Sequence, residues 1–212
     1  MDEKRSLNLD RMFLSFILAT IIFISIFLFA YGVSYFKSKD ISSDQEKIYY
    51  KFLEQNLKNK FELNKCDSQI HEFSYELDTM GSLLGILEEK LGKENKKVLE
   101  QKKLYSLIEI QHSFLIKEYN LQCNKKIPII FFFYSNNKSF ETSAEKMGFI
   151  LSSFKNQHSG VMIYSLDYDL NSTVLHLLKE EYNITRPNTI LINEEIIIHD
   201  LKNIKDLEKY LF

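Results

Sequence analysis

Glycine and proline are scarce in this 212-residue chain, six and two in number. That scarcity excludes collagen-like, linker-rich and low-complexity architectures. Only two cysteines are present, too few for a disulfide-dense scaffold or a four-cysteine zinc site. Neither sign of charge dominates: 27 Lys and Arg face 29 Asp and Glu, a formal net charge of -2. A basic nucleic-acid face is therefore not expected, and no nucleic-acid partner is assigned. The glycines show no G-x-G spacing, so no dinucleotide site is expected. What is abundant is hydrophobic residue, 45% of the chain, which argues against disorder. The length leaves room for one ordinary domain, or two small ones and an anchor. Richness in Phe, Ile, Lys and Asn is what an AT-rich genome produces and is not read as function.

Met12 to Phe36 is a run of 25 residues without charge. As a helix it measures about 37 Å, against a hydrocarbon core of about 30 Å. It is read as an anchor that spans the lipid bilayer with some tilt. Tyr31 and Tyr35 fall where an interfacial belt belongs. The alternative, a cleaved signal peptide ending near Ala30-Tyr31-Gly32, has a shorter apolar core than this one. Lys4, Arg5 and Arg11 precede the span and Lys37 and Lys39 follow it, so charge bias hardly orients it. The long C-terminal part and three glycosylation sequons, at Asn137, Asn171 and Asn183, favour a cytoplasmic N-terminus. The expected location is the cell membrane, single-pass, with the C-terminal domain extracytoplasmic. Residues 1–11 are then a short cytoplasmic tail and 12–36 the anchor.

Residues 37–124 read as helical. Ile48, Phe52, Leu53, Leu57 and Phe61 recur at helical spacing over about Asp44 to Leu63. Ile70, Phe73, Leu77, Met80, Leu84, Leu87 and Leu91 step as a heptad seam. Asp67 and Ser68 are plausible caps before it, and Gly92 with Lys90 suits its end. A return helix is expected from about Asn95 to Asn120, with Leu104, Ile108, Gln111, Leu115 and Tyr119 on one face. A short connection makes the two antiparallel. The seam is expected to pack within this hairpin; its rival is a coiled coil that binds a partner or forms a homodimer. Cys66 and Cys123 fall at the hairpin's open end and read as a structural disulfide in an oxidising compartment. The rival is a redox pair, although only Lys125 and Lys126 stand near Cys123 to activate it. No histidine lies at ligand spacing from either cysteine, so no metal is assigned.

Residues 125–212 change pattern. Ile127–Tyr134 is a continuous apolar strand, and a helix follows from about Thr142 to Asn156 with Met147, Ile150, Leu151 and Phe154 inward. Val161–Leu166 is the next strand. A helix capped by Asn171 or Ser172 runs through Tyr182, turning Val174, Leu175, Leu178 and Tyr182 inward. Thr189–Ile192 and Ile196–His199 pair across Asn193-Glu194-Glu195, and Ile204–Phe212 is a last helix. The order is βαβαββα, one right-handed parallel crossover, a hairpin and a covering helix.

That order resembles the thioredoxin fold. Phe133-Tyr134-Ser135-Asn136, Tyr164-Ser165-Leu166-Asp167-Tyr168-Asp169 and Tyr182-Asn183-Ile184-Thr185 sharpen it. With the span, the hairpin and a cysteine before the first strand, the chain is similar to a family of membrane-anchored archaeal thioredoxin-like proteins. The expected class is α+β: one transmembrane helix, a helical hairpin closed at 66–123, and a C-terminal thioredoxin-like domain. The family pattern puts Cys-x-x-Cys at the start of the helix after the first strand. There, helix amides and dipole stabilise a thiolate. The matching positions here are Phe140 and Ser143. The family's cis-proline position is taken by Asn188, with Pro187 before it. A cis bond at Asn188 would cost about 3–4 kcal/mol.

The resemblance therefore implies a thioredoxin-like domain without thioredoxin chemistry, needing no cofactor. It would act as a binding or scaffolding module for another envelope protein or an extended peptide segment. Phe140 is expected as a buried plug rather than an exposed contact. Thr142 and Ser143 are expected to cap the helix. The rival functions are a thiol-disulfide oxidoreductase using Cys66 and Cys123, and an architectural dimer through residues 44–63. The five histidines and the Glu88-Glu89, Glu180-Glu181 and Glu194-Glu195 pairs are expected to be structural or solvated.

Overall fold

A computed structural model of the chain describes residues 9–61, 66 and 70–211. The expected tail through residue 8 and the caps Asp67 and Ser68 lie outside the described residues, as do the side chains of Phe61, Ile70 and Phe73. Two compact units are present, Met1–Asp44 and Gln45–Phe212.

Helix α1 (Leu9–Phe61) runs from the first unit into the second, and its first-unit part holds a stretch, Arg11–Val33, long and apolar enough to cross a membrane. The side chains of this stretch are exposed throughout. Its three serine and threonine hydroxyls are internally satisfied. Ser15, Thr20 and Ser25 donate to the carbonyls of Arg11, Phe16 and Ile21 at 2.8, 2.9 and 2.8 Å. Hydrocarbon offers hydroxyls no other acceptor. The helix does not break after residue 36 but continues to Phe61.

The second unit is mixed α+β. It holds the end of α1, then α2 (Ile70–Leu91), α3 (Lys96–Cys123), β1 (Ile129–Tyr134) and α4 (Glu141–Gln157). β2 (Met162–Asp167), α5 (Thr173–Glu181), β3 (Thr189–Ile192), β4 (Ile196–Ile198) and α6 (Lys205–Leu211) complete it. The strands lie in the order β2-β1-β3-β4, with β1 parallel to β2 and the other pairs antiparallel. The β3–β4 hairpin turns on Asn193 and Glu194, both at positive φ, as the tight hairpin turn demands.

Strand β1 divides its side chains between two layers by the period of two. Ile129, Phe131 and Phe133 face a core shared with α2, α3 and α5. Ile130 and Phe132 face a core shared with α4 and α6. Helix α3 packs against both α2 and β2.

Of the seam residues whose side chains are described, Leu77, Met80, Leu84 and Leu87 are buried within the chain and Leu91 is half-buried; nothing among the described residues supports a coiled coil with a second copy. Gly92 ends α2 at φ +87°, its N–H donating to Glu88 O at 2.8 Å, a left-handed stop that glycine alone adopts without strain. Asn95 caps α3 through its side chain, which accepts from Lys97 N at 2.9 Å. Cys66 and Cys123 are joined in a disulfide with Cα atoms 5.6 Å apart. At the end of α3, Asn120 bonds both backbone groups of Ile127 and so sets the entry into β1.

Two expected inward positions are corrected: Leu57 and Val174 are exposed. Tyr182 is half-buried and packs against the core, as expected. Helix α5 is a short, nine-residue element whose buried stripe needs only Leu175 and Leu178, which leaves Val174 at the solvent boundary.

Candidate functional site

The four site positions expected from the sequence, Phe140, Ser143, Pro187 and Asn188, come from two places in the chain that the sheet brings together. β1 ends at Tyr134, and the chain turns through Asn137, whose carbonyl accepts from the N–H groups of Phe140 and Glu141 at 2.8 and 2.9 Å. Helix α4 then begins with Phe140 as its N-cap. β3 is the antiparallel neighbour of β1, so the turn leading into it stands beside that helix start.

Asn188 links the two halves. It is buried, its Nδ2 donates to Phe140 O at 2.9 Å, and its Oδ1 accepts from Ser135 N at 3.4 Å. Its backbone is left-handed, φ +54°, a conformation that asparagine tolerates better than most residues. All described peptide bonds are trans, those at Pro187 and Asn188 included. The asparagine thus occupies the turn by combining a left-handed backbone with side-chain hydrogen bonds. Thr189 Oγ1 donates to Arg186 O at 2.8 Å and lies 3.0 Å from His199 Nδ1, which secures the start of β3.

Two expectations fail here. Phe140 is not a buried plug: it is 40% exposed, because as N-cap it stands outside the stripe of α4 formed by Ala144, Met147, Leu151 and Phe154. Thr142 and Ser143 do not cap the helix. They are the second and third residues of its first turn, and the cap position, Phe140, makes no side-chain hydrogen bond. Ser143 Oγ reaches Met147 Sδ at 4.0 Å, and no base among the described residues hydrogen-bonds it. A hydroxyl so placed has nothing to remove its proton. The only two thiols of the chain are oxidised to each other in the hairpin.

Sequence reasoning missed a second polar region. On α3, Lys102, Ser106, Glu109, His112 and Ser113 are all buried against the sheet layer. Lys102 Nζ bonds Glu88 Oε1 at 2.8 Å and Asp167 Oδ2 at 3.0 Å. Burial lowers its pKa, but those two carboxylates override burial and hold the ammonium above the usual lysine range. Glu88 is therefore not a solvated partner of Glu89. Glu109 Oε1 accepts from Ser165 N at 2.9 Å, so a side chain satisfies an N–H of the edge strand β2. Burial pushes the Glu109 carboxyl up to about 8, against the lowering effect of that same hydrogen bond. His112 Nδ1 meets Tyr164 Oη at 2.9 Å, and burial, followed by the charge of Lys155, brings the imidazole down to about 4. The loop after β1 is tied into this region: Ser135 Oγ donates to Asp169 Oδ2 at 2.5 Å and Asn136 Nδ2 to Asp167 Oδ2 at 2.9 Å. The only trace in the sequence is a polar stripe at helical spacing, which by default faces water.

Asn137, Asn171 and Asn183 are all exposed. Asn137 Oδ1 accepts from Ser139 N at 3.2 Å. Among the described residues no group of three or more His, Cys, Asp or Glu is placed to hold a metal ion. Against known proteins the chain matches no family model, no curated protein and no solved structure.

Proposed function

We propose that the chain is a membrane-anchored, extracytoplasmic thioredoxin-like protein without redox cysteines, which binds another envelope protein or an extended segment of one. The observation that carries this reading is the junction of Phe140 and Asn188. A helix start faces the turn before an antiparallel strand, in a sheet ordered β2-β1-β3-β4, and the Asn188 amide ties the two together at 2.9 Å. This is the arrangement that the resemblance to archaeal thioredoxin-like proteins implies, with Phe140 and Ser143 at the positions of the thiols. An exposed phenyl ring is an apolar anchor for an extended segment, whereas it cannot attack a disulfide. The N-terminal stretch Arg11–Val33 supports the anchor, and the disulfide supports an oxidising side of the membrane.

The test has two arms on the full-length chain. Phe140→Ala and Asn188→Ala should each weaken capture of the partner from solubilised membranes, and Ser143→Ala should leave it unchanged. Alkylation and mass spectrometry along a glutathione ladder should find Cys66–Cys123 oxidised until well below about −300 mV, as a structural bridge is. Easy reduction together with exchange onto substrate thiols would replace this reading with an oxidoreductase whose active pair is on the hairpin.

A further inference from the structure

A cleft of about 330 Å³ opens between α2, α3, the end of β1 and the first turn of α4. It adjoins the junction above through Ser135, although neither Phe140 nor Asn188 lines it. Its α2 wall carries Gly81 and Gly85, inside a helix where glycine is among the least favourable residues. A Cβ at Gly81 would come within 2.8 Å of Tyr105 Oη, whereas one at Gly85 meets nothing within 4 Å. The first glycine admits the Tyr105 ring, and the second leaves open space.

Aromatic and charged groups share the lining. Tyr105, Phe132 and Tyr134 supply ring surface. Lys102, 2% exposed, sits at the inner end between Glu88 and Asp167. Lys93 pairs with Glu141 at 2.7 Å, and Glu145 adds another carboxylate. Three carboxylates, Glu88, Glu141 and Glu145, thus line the cleft with two ammonium groups, Lys93 and Lys102, and the excess is one negative charge. An anion would be repelled there, and a neutral apolar guest would leave that excess unbalanced. A cation with an apolar stem meets both properties of the lining.

We propose that this cleft binds an alkylammonium group, with its charge answered by Glu88 and Glu145 and its methylene stem against Leu84, Tyr105 and Phe132. A free amine and the side chain of a lysine in a peptide share this chemistry.

The full-length chain in uncharged detergent is titrated with n-butylammonium, n-butanol and butyrate, following amide chemical shifts of the cleft residues. Saturable binding of butylammonium is expected, with butanol and butyrate at least about tenfold weaker. Gly85→Leu, which fills open space without removing a charge, should abolish it, and Glu88→Gln should weaken it by about tenfold. N-acetyl-lysine-N-methylamide binding more tightly than butylammonium assigns the site to a peptide lysine; weaker binding assigns it to a free amine. The proposal is overturned if no amine saturates, if butanol binds as well as butylammonium, or if binding survives Gly85→Leu in a folded chain.

Discussion

The two faces of the one sheet are built on different principles. Toward α4 and α6 the buried set is apolar: Ile130, Phe132, Met147, Leu151, Phe154 and Ile190 among others. Toward α3 the core interleaves large apolar side chains with Lys102, Glu109 and His112, each at 2% exposure or less. Dispersion and hydrophobic burial hold the first face, and they accept any well-packed apolar neighbour. The second face holds polar groups that are tolerable only in one geometry, since each must meet its partner on β2 or α2. The contrast teaches that one layer can supply stability while the other dictates where the hairpin docks.

The largest effects should come from cutting each face once. Phe154→Ala should cost about 3–5 kcal/mol through a cavity. Lys102→Ala should cost a similar amount, about 3–5 kcal/mol, because it strands Glu88 and Asp167. The faces then part: adding Glu88→Gln and Asp167→Asn should recover much of the Lys102 loss, and no neutralisation should recover the Phe154 loss. Denaturant unfolding of the detergent-solubilised variants measures both, and equal recovery would erase the distinction.

A smaller effect should appear with pH, and only from the polar face. Glu109 has its folded pKa raised to about 8 from an ordinary 4.5. Its contribution is complete below pH 4.5 and is lost as pH rises toward 8. His112 has its folded pKa lowered to about 4 from 6.5. Its contribution is present above 6.5 and is lost as pH falls toward 4. Between 4.5 and 6.5 the two oppose each other. Above 6.5 Glu109 acts alone, so stability should fall toward pH 8 by up to about 1.4 kcal/mol per pH unit. Glu109→Gln should flatten that limb and uncover the His112 limb, so that stability then rises with pH between 4.5 and 6.5. Melting temperatures from pH 4 to 9 check it.

The smallest effect concerns the α2 wall. Gly85→Ala should stabilise by about 0.5–1 kcal/mol, since it gains helix propensity with room to spare. Gly81→Ala should not, because the added carbon meets Tyr105 Oη. If both substitutions stabilise equally, Tyr105 is free to move and the α3 face is less constrained than its hydrogen bonds indicate.

The apolar face was legible along the chain. Met147, Leu151 and Phe154 repeat at helical spacing, Thr189–Ile192 is a solid apolar run, and both occur as expected. The disulfide was legible too, from two cysteines placed at the open end of a hairpin. Lys102, Glu109 and His112 were not legible, because their partners Asp167, Ser165 and Tyr164 lie 65, 56 and 52 positions away. Local pattern assigns such side chains to water. Phe140 failed in the opposite direction. An apolar residue before a helix is expected inside, but α4 rotates its stripe toward Ala144 and Met147 and leaves the ring at the surface.

Sequence alone determined the candidate span, the alternation of helices and strands, and the absence of thiols at the start of α4. These follow from composition and periodicity, which act over a few residues. Tertiary structure decided which polar residues are buried, how Asn188 meets Phe140, and where open space remains beside Gly85. Those depend on groups distant in the chain meeting within hydrogen-bond range, and only the docking of α3 on the sheet brings them there.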